Sequence, residues 1–164
     1  HKKFLQSLKL IAINTKFKVH LFGSGILEKE LKIYVNDNGL RDIVIFEGWK
    51  KDISKYLPNI DIVVLTSEGE GFNNSIAEAQ MHGIPVVTTN CTGSSEIVID
   101  NQTGFVVPVG DMNKFAKKLQ VLIDSETLRQ KFSRNAYTRF RGHFTIETMV
   151  DKYEQLFESL INRK

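Results

Sequence analysis

The segment "DIVVLTSEGEGFNNSIAEAQMHGIPVVTT", from Asp61 to Thr89, contains the pattern that decides the fold. It opens with a continuous apolar run, which is typical of a strand covered on both faces. A glycine-containing loop then leads into a predicted helix at Ser75–His82, which Gly83 ends. The run after Pro85 is again strand-like. Two strands joined through a helix predict a parallel sheet.

The rest of the chain alternates in the same way. Further strands are predicted at 17–22, 42–48 and 104–109, and further helices at 2–15, 26–38, 52–59, 94–100, 111–124, 126–140 and 145–162. This order predicts a single α/β domain over residues 1–164, with a doubly wound, Rossmann-like, mostly parallel sheet and helices on both faces. Ligands of such folds bind at the carboxyl ends of the strands. The loops at 23–25, 47–52, 67–74, 90–95 and 108–111 are therefore the candidate binding loops.

Composition limits the classes of function. The chain has 164 residues, of which 41% are hydrophobic and 25% charged, as in ordinary globular domains. Its net charge of +3 fits a phosphate-bearing ligand, and no basic stripe interleaved with aromatic residues indicates nucleic acid. The single cysteine, Cys91, excludes a disulfide framework, and the four histidines show no metal-ligand spacing. The sequence therefore shows no metal-ligand cluster, and we expect no cofactor.

The loop before the Ser75–His82 helix has the features of an anion site. Backbone N–H groups of Asn73, Asn74 and Ser75 lie at a predicted helix N-terminus, where a diphosphate binds favourably. Gly69 and Gly71 allow a ligand to approach the backbone closely. Either asparagine is suited to cap the helix.

Two glutamates, Glu70 and Glu78, flank this loop with seven residues between them. A carboxylate accepts hydrogen bonds through two oxygens, so each can hold a vicinal diol of a ribose or a hexose. Acidic side chains near a helix start are equally explained by a favourable interaction with the helix dipole. The spacing alone leaves both interpretations open.

The longer segment 67–111 resembles the signature of the retaining, nucleotide-sugar-dependent glycosyltransferases of the GT-B fold, the group-one or family-four class. Its E-x7-E pattern lies in the frame "EGF…EA…GIPVV", followed by a Gly-x-x-Glu turn at 93–96 and a strand that leads to Asp111. "KVHLFGSGILEKEL" resembles the second strand and glycine turn of that class, and "FTIETMVDKYEQLFESL" resembles its terminal helix. The resemblance covers nearly the whole chain and implies the C-terminal, donor-binding half of the fold.

The resemblance also implies roles for particular residues. Glu70 would contact the hydroxyls of the donor sugar at the catalytic centre, and Glu78 would hold the ribose hydroxyls. The other implied donor-binding residues are Gly71, Phe72, Asn73, Asn74 and Ser75 at the sugar and diphosphate, Trp49, Lys50 and Asp52 near the base, and Gly23 and Ser24 in the same crevice. Asn73 and Asn74 stand where the class often has Gly or Pro and an apolar residue, which puts the choice of donor sugar in doubt.

For the parent protein, the resemblance implies a metal-independent, retaining hexosyltransferase of polysaccharide or glycoconjugate biosynthesis. We expect a UDP-sugar donor before a GDP-sugar, and a glycan, a lipid-linked sugar or a protein as acceptor. Because the nucleotide-sugar supply is cytoplasmic and no targeting segment is visible, we expect a cytoplasmic location. Attachment of the parent to the inner face of a membrane is left open.

Part of the expected fold is absent from this sequence. The chain begins "HKKFLQSL", already in a helical pattern, so we expect it to lack the acceptor-binding N-terminal domain and the opening strand of its own sheet. The class carries an Arg and a Lys after that strand, which clamp the donor diphosphate. We therefore expect a sheet incomplete at its middle, weak donor binding, no sugar transfer by this chain alone, and a terminal helix at 145–162 with an exposed apolar face.

A nucleotide-binding domain for NAD or S-adenosylmethionine is the alternative. Gly23-Ser24-Gly25 follows a predicted strand, and Glu47 lies 22 residues after Gly25 at the end of the next strand. However, Glu28 stands where the third glycine of that fingerprint belongs. A receiver-like domain is excluded, because Asp61 lies at the start of its strand rather than at its carboxyl end.

Overall fold

The computed structural model describes residues 1–11, 17–69 and 71–162. Its strands are β1 (Val19–Phe22), β2 (Val44–Gly48), β3 (Val63–Leu65), β4 (Val86–Thr89) and β5 (Gly104–Val107). Its helices are α1 (Lys2–Leu8), α2 (Glu28–Asp37), α3 (Asn74–Met81), α4 (Ser94–Ile97), α5 (Met112–Asp124), α6 (Glu126–His143) and α7 (Ile146–Ile161). Strands and helices alternate as far as α5, as the sequence predicts.

The strands form two parallel sheets rather than one. In the first sheet β1 pairs with β2, and in the second the order is β3-β4-β5. The remaining edges of β1 and β3 pair with no strand among the described residues. An open cleft therefore separates the two sheets.

Side chains of both sheets alternate between the same two layers. Leu21 of β1 and Val64 of β3 pack in one apolar cluster with residues of α1 and α5. Val63 and Leu65 pack in a second cluster, which includes Leu57 and residues of α3. Because strand side chains alternate in direction, the cleft interrupts a sheet that has one helical layer on each face.

The core is correspondingly divided into two clusters. Leu5, Phe115 and Phe132 are fully buried in the first, and Ile76 and Ile97 in the second. Helix α7 belongs to neither cluster and buries no residue. Its exposed apolar side chains are Ile146, Met149, Val150, Tyr153, Leu156, Phe157, Leu160 and Ile161. This is the exposed face expected of the terminal helix.

The observed elements differ from the predicted ones by three or more residues in four places. Helix α4 ends at Ile97, three residues before its predicted end at 100. Helix α1 ends at Leu8, and the rest of the predicted helix falls mainly on residues 12–15, outside the described residues. The segment predicted as one helix at 52–59 is instead two 3-10 turns, Ile53–Lys55 and Leu57–Asn59. Pro58 has no N–H to donate to an α-helical bond, which explains the break. Helix α6 continues to His143, three residues beyond its predicted end at 140.

Candidate functional site

The cleft between β1 and β3 has a volume of about 1040 Å³ and extends from residues that precede these strands, such as Lys18 and Asp61, to the loops at their carboxyl ends. Five of the predicted donor-binding residues line it: Gly23, Trp49, Lys50, Ser75 and Glu78. They come from the loop after β1, the loop after β2 and the first turns of α3. The parallel sheet thus brings together side chains that are more than 50 residues apart in sequence.

The N-terminus of α3 supplies hydrogen-bond donors at this cleft. Asn73 is the cap residue: its Oδ1 accepts the N–H of Ile76 at 3.1 Å, and its carbonyl accepts the N–H of Ala77 at 3.1 Å. The N–H groups of Asn74 and Ser75 have no partner among the described residues, so they are available to a ligand. Three residues apart on the helix, Ser75 and Glu78 lie on the same face. An anion and a diol can therefore be held side by side.

The loop before α3 is in close contact with the turn before α4. Gly93 has a φ of +83°, and an ideal Cβ built on it would lie 1.9 Å from the carbonyl oxygen of Gly71. Only glycine permits both this conformation and this approach. The sequence pattern Gly-x-x-Glu at 93–96 thus has a structural reason, because its glycine supports the loop between the two glutamates.

An ion-pair network fixes the loop after β2. Nδ1 of His20 lies 2.9 Å from Oε1 of Glu47, and Nζ of Lys50 lies 3.3 Å from Oε2. The hydrogen bond with His20, and then that with Lys50, lowers the pKa of Glu47. The same contact with Glu47 raises the pKa of Lys50, whose ammonium lies 4.9 Å from the ring centre of Tyr56. Lys50 is thus held as a cation at the rim of the cleft.

This network also bears on the dinucleotide alternative. A ribose-binding acid must present a carboxylate to the ligand. Both carboxylate oxygens of Glu47 already contact positive or polar groups of the chain. The structure therefore gives no support to Glu47 as a ribose ligand.

The other predicted site residues occupy different positions. Asp52 caps the first 3-10 turn, where its Oδ1 accepts hydrogen bonds from the N–H and the hydroxyl of Ser54, and it does not line the cleft. Ser24 lines a smaller neighbouring cavity of about 330 Å³, which shares Gly23 with the cleft. Four predicted residues immediately precede Ser75 in the sequence but do not line the cleft: Gly71, Phe72, Asn73 and Asn74. Glu70 lies outside the described residues.

Sequence reasoning missed several residues around the site. His20 pairs with Glu47 across neighbouring strands, and Arg139 and Phe144 contact the loops near α3 and α4. A histidine and a glutamate in adjacent predicted parallel strands give a weak signal for the first pair. No local pattern points to the other two, because more than 40 residues separate them from their partners.

The described residues show none of the features of a metal site, a membrane span or a reactive cysteine. No group of three or more His, Cys, Asp or Glu side chains is arranged to hold a metal ion there. None of the helices described here has both the length and the apolar character needed to cross a membrane. Cys91 is buried, with its Sγ 3.0 Å from the hydroxyl oxygen of Ser94, so it is a packed side chain.

Comparison with known proteins identifies the family. The sequence profile described as "Glycosyl transferases group 1" matches residues 1–139. The chain belongs to this family. The resemblance seen in the segment 67–111 is therefore confirmed.

Two curated relatives are similar over nearly the whole chain. The capsular polysaccharide biosynthesis glycosyltransferase CapM of Staphylococcus aureus is 31% identical over 97% of this chain and 42% of its own length. An Escherichia coli relative named UDP-Gal:alpha-D-GlcNAc-diphosphoundecaprenol alpha-1,3-galactosyltransferase is 30% identical over 98% of this chain and 42% of its own. The chain thus spans less than half the length of these relatives.

A solved structure confirms the fold. HepE of Anabaena, crystallised in complex with UDP, superposes with a TM-score of 0.87 at 24% identity, over 97% of this chain and 45% of its own. The α/β prediction and its assignment to the C-terminal half of a GT-B fold are correct.

Proposed function

We propose that this chain is the donor-binding domain of a retaining glycosyltransferase, which moves a hexose from a nucleoside diphosphate to a glycan or lipid-linked acceptor. The observation that carries the proposal is the convergence of Gly23, Trp49, Lys50, Ser75 and Glu78 on one cleft at the carboxyl ends of the strands. Membership of the group 1 glycosyltransferase family supports the interpretation of this cleft as the donor site.

The roles of the residues follow from their chemistry. Glu78 accepts the two hydroxyls of the ribose, and the N–H groups of Asn74 and Ser75 donate to the diphosphate. Lys50 adds positive charge, and Trp49, which is largely exposed, offers a ring to the base. Glu70 faces the donor sugar in this proposal, as the E-x7-E resemblance implies.

The remaining neighbours have lesser roles in this proposal. Gly71, Phe72 and Asn73 shape the loop rather than contact the ligand through their side chains. Asp52 orders the loop beside the base through its cap, and Ser24 borders the site from the adjoining cavity.

A UDP-sugar is the donor that we propose. The support is the E. coli relative, whose name specifies UDP-galactose as donor and a diphosphoundecaprenol-linked sugar as acceptor. The reaction in this proposal needs no divalent metal or other cofactor, because helix amides and cations stabilise the leaving diphosphate. A lipid-linked acceptor would place the parent protein in the cytoplasm at the inner face of a membrane.

We also propose that, in the full-length protein, a strand preceding α1 fills the part of the cleft between the edges of β1 and β3, and that the donor occupies the part beyond the carboxyl ends of the strands. Supporting this, the edges of β1 and β3 that face the cleft pair with no described strand, and His1 lies at the lining of the cleft. A right-handed crossover through α1 would join such a strand to β1. The preceding N-terminal domain would then supply the acceptor site.

Calorimetric titration of the full-length protein with UDP, GDP, UDP-galactose and NAD tests this function. We expect UDP to bind, and Glu78→Ala to weaken its affinity at least about tenfold, because a hydrogen bond to a charged group is worth about 1.5–3 kcal/mol. Glu126→Ala is the control, since Glu126 is also a helical glutamate but does not line the cleft. Preferential binding of NAD, or equal affinity in the Glu78→Ala variant, would refute the proposal.

A further inference from the structure

We propose that Phe144, at the joint between α6 and α7, is a positioning residue for the loop between Glu68 and Asn74, hereafter the donor loop. The described part of this loop contains Phe72, whose ring centre lies 5.9 Å from that of Phe144. The function of the loop rests on the donor-binding role proposed above, whereas its attachment to Phe144 does not.

The side chain of Phe72 is only partly covered. Its side chain is 53% exposed, although it is a large apolar residue within a short loop. The tilted contact with Phe144, at 52° between the rings, is the aromatic contact that the structure records for it among the described residues. Removing Phe144 would leave the Phe72 side of the donor loop without this aromatic neighbour.

Phe144 itself is well anchored. Its ring lies 6.3 Å from that of Phe140 and 5.4 Å from the guanidinium carbon of Arg139, and it packs against the apolar cluster under α3. Its N–H donates to the carbonyl of Phe140 at 2.9 Å, which ends α6. A ring anchored by these contacts can support an exposed neighbour such as Phe72.

The same helix also supports the other side of the donor loop. Arg139 donates from Nε to the carbonyl of Ile97 at 2.9 Å and from Nη2 to that of Glu96 at 2.5 Å. These bonds hold α4, and the turn before α4 places Gly93 against Gly71. Helix α6 and its cap residue Phe144 are therefore connected to the donor loop in two ways, directly through the ring of Phe144 and indirectly through Arg139 and α4.

Position 144 is also where the chain leaves the core. Helix α7 begins two residues later, is capped by Thr145 and buries none of its residues. A change in the direction of α7 would act on the backbone of Phe144 and so on Phe72. The joint thus connects the orientation of the terminal helix to the geometry of the donor loop.

Hydrogen exchange of the ligand-free, full-length protein tests the attachment without any assumption about function. Phe144→Ala should accelerate exchange at the amides of residues 71–76, and Phe144→Leu should do so less. Tyr137→Ala is the matched control, because Tyr137 is a half-exposed aromatic residue of the same helix with no ring contact to the loop. Unchanged exchange at 71–76 in Phe144→Ala would overturn the proposal.

Donor kinetics measure the consequence for the site. We expect Phe144→Ala to lower kcat/KM for the donor about threefold to tenfold, as an aromatic pair contact permits, and Phe144→Leu to recover part of it. In a double-mutant cycle, Phe144→Ala should have little further effect once Phe72 is alanine. Additive losses, or a lower thermal midpoint with unchanged kcat/KM, would show a merely structural role. If exchange responds but UDP does not bind the wild type, the proposed function fails and the attachment stands.

Discussion

Replacement of Gly93 by alanine should destabilise the protein and displace the donor loop. Two effects add at this position. The φ of +83° is unfavourable for a residue with a Cβ, and that Cβ would lie 1.9 Å from the carbonyl oxygen of Gly71. The clash involves backbone on both sides, so no flexible side chain can rotate away to relieve it.

Gly39→Ala separates the two effects. Gly39 has a φ of +67° and follows α2, and a Cβ there would meet no atom within 4 Å. Both substitutions therefore carry the conformational cost of about 1–2 kcal/mol. Only Gly93→Ala must also displace the donor loop, which at the usual cost of overpacking adds about 1–3 kcal/mol. That difference is the expected gap between the two variants.

Urea unfolding gives the stability difference, and UDP titration gives the functional one. We expect Gly93→Ala to be the less stable variant by the amount above and to bind UDP more weakly, whereas Gly39→Ala should bind UDP as the wild type does. If the two variants lose equal stability and both keep wild-type affinity, then the contact between Gly93 and Gly71 has no importance for the loop.

Three further predictions concern the surrounding structure. Asn73→Ala should destabilise the protein by about 1 kcal/mol in urea, because the cap of α3 is lost; Asn73→Ser should retain most of the stability, and equal losses would contradict the capping role. The lowered pKa of Glu47 means that its ionised form contributes stability above the usual glutamate pKa, and that this contribution is lost as the pH falls through the lowered value. The difference in unfolding midpoint between wild type and Glu47→Gln should therefore shrink below about pH 4.3, and a constant difference would contradict the pairing with His20. Extending the chain at its N-terminus with the residues that precede His1 in the full-length protein should raise the thermal midpoint, and an unchanged midpoint would contradict a strand in the cleft.

Local sequence patterns predicted most helices and strands because each of these elements has start and stop signals in its own sequence. Gly83 and Pro85 separate α3 from β4, and Asn73 caps α3 as one of the two asparagines considered. The family assignment rested on the ordered set of motifs in 67–111, and the matching profile confirms it. The alternation of strands and helices was sufficient to place the binding loops at one edge of the sheet.

These local patterns could not predict contacts between segments that are distant in the sequence. The approach of Gly93 to Gly71 and the tilted ring contact of Phe72 with Phe144 depend on how α4 and α6 pack, which no local periodicity specifies. The resemblance implied a place for Asp52 near the base, and the structure shows that its side chain caps a turn at Ser54; the contact with a base stays a prediction. A short polar side chain that can cap a turn gives the same local signal as one that binds a ligand.

The described strands form two sheets that share no strand pairing, and the residues of the proposed site come from both sheets. Gly23 and Trp49 belong to the β1-β2 side of the cleft, and Ser75 and Glu78 to the β3 side. A ligand bound there would contact both sides at once, so its binding free energy would also oppose their separation. Donor binding should therefore stabilise this chain against unfolding. A substitution that weakens donor contact on one side, such as Glu78→Ala, should reduce that stabilisation. The same substitution should change the stability of the ligand-free protein less.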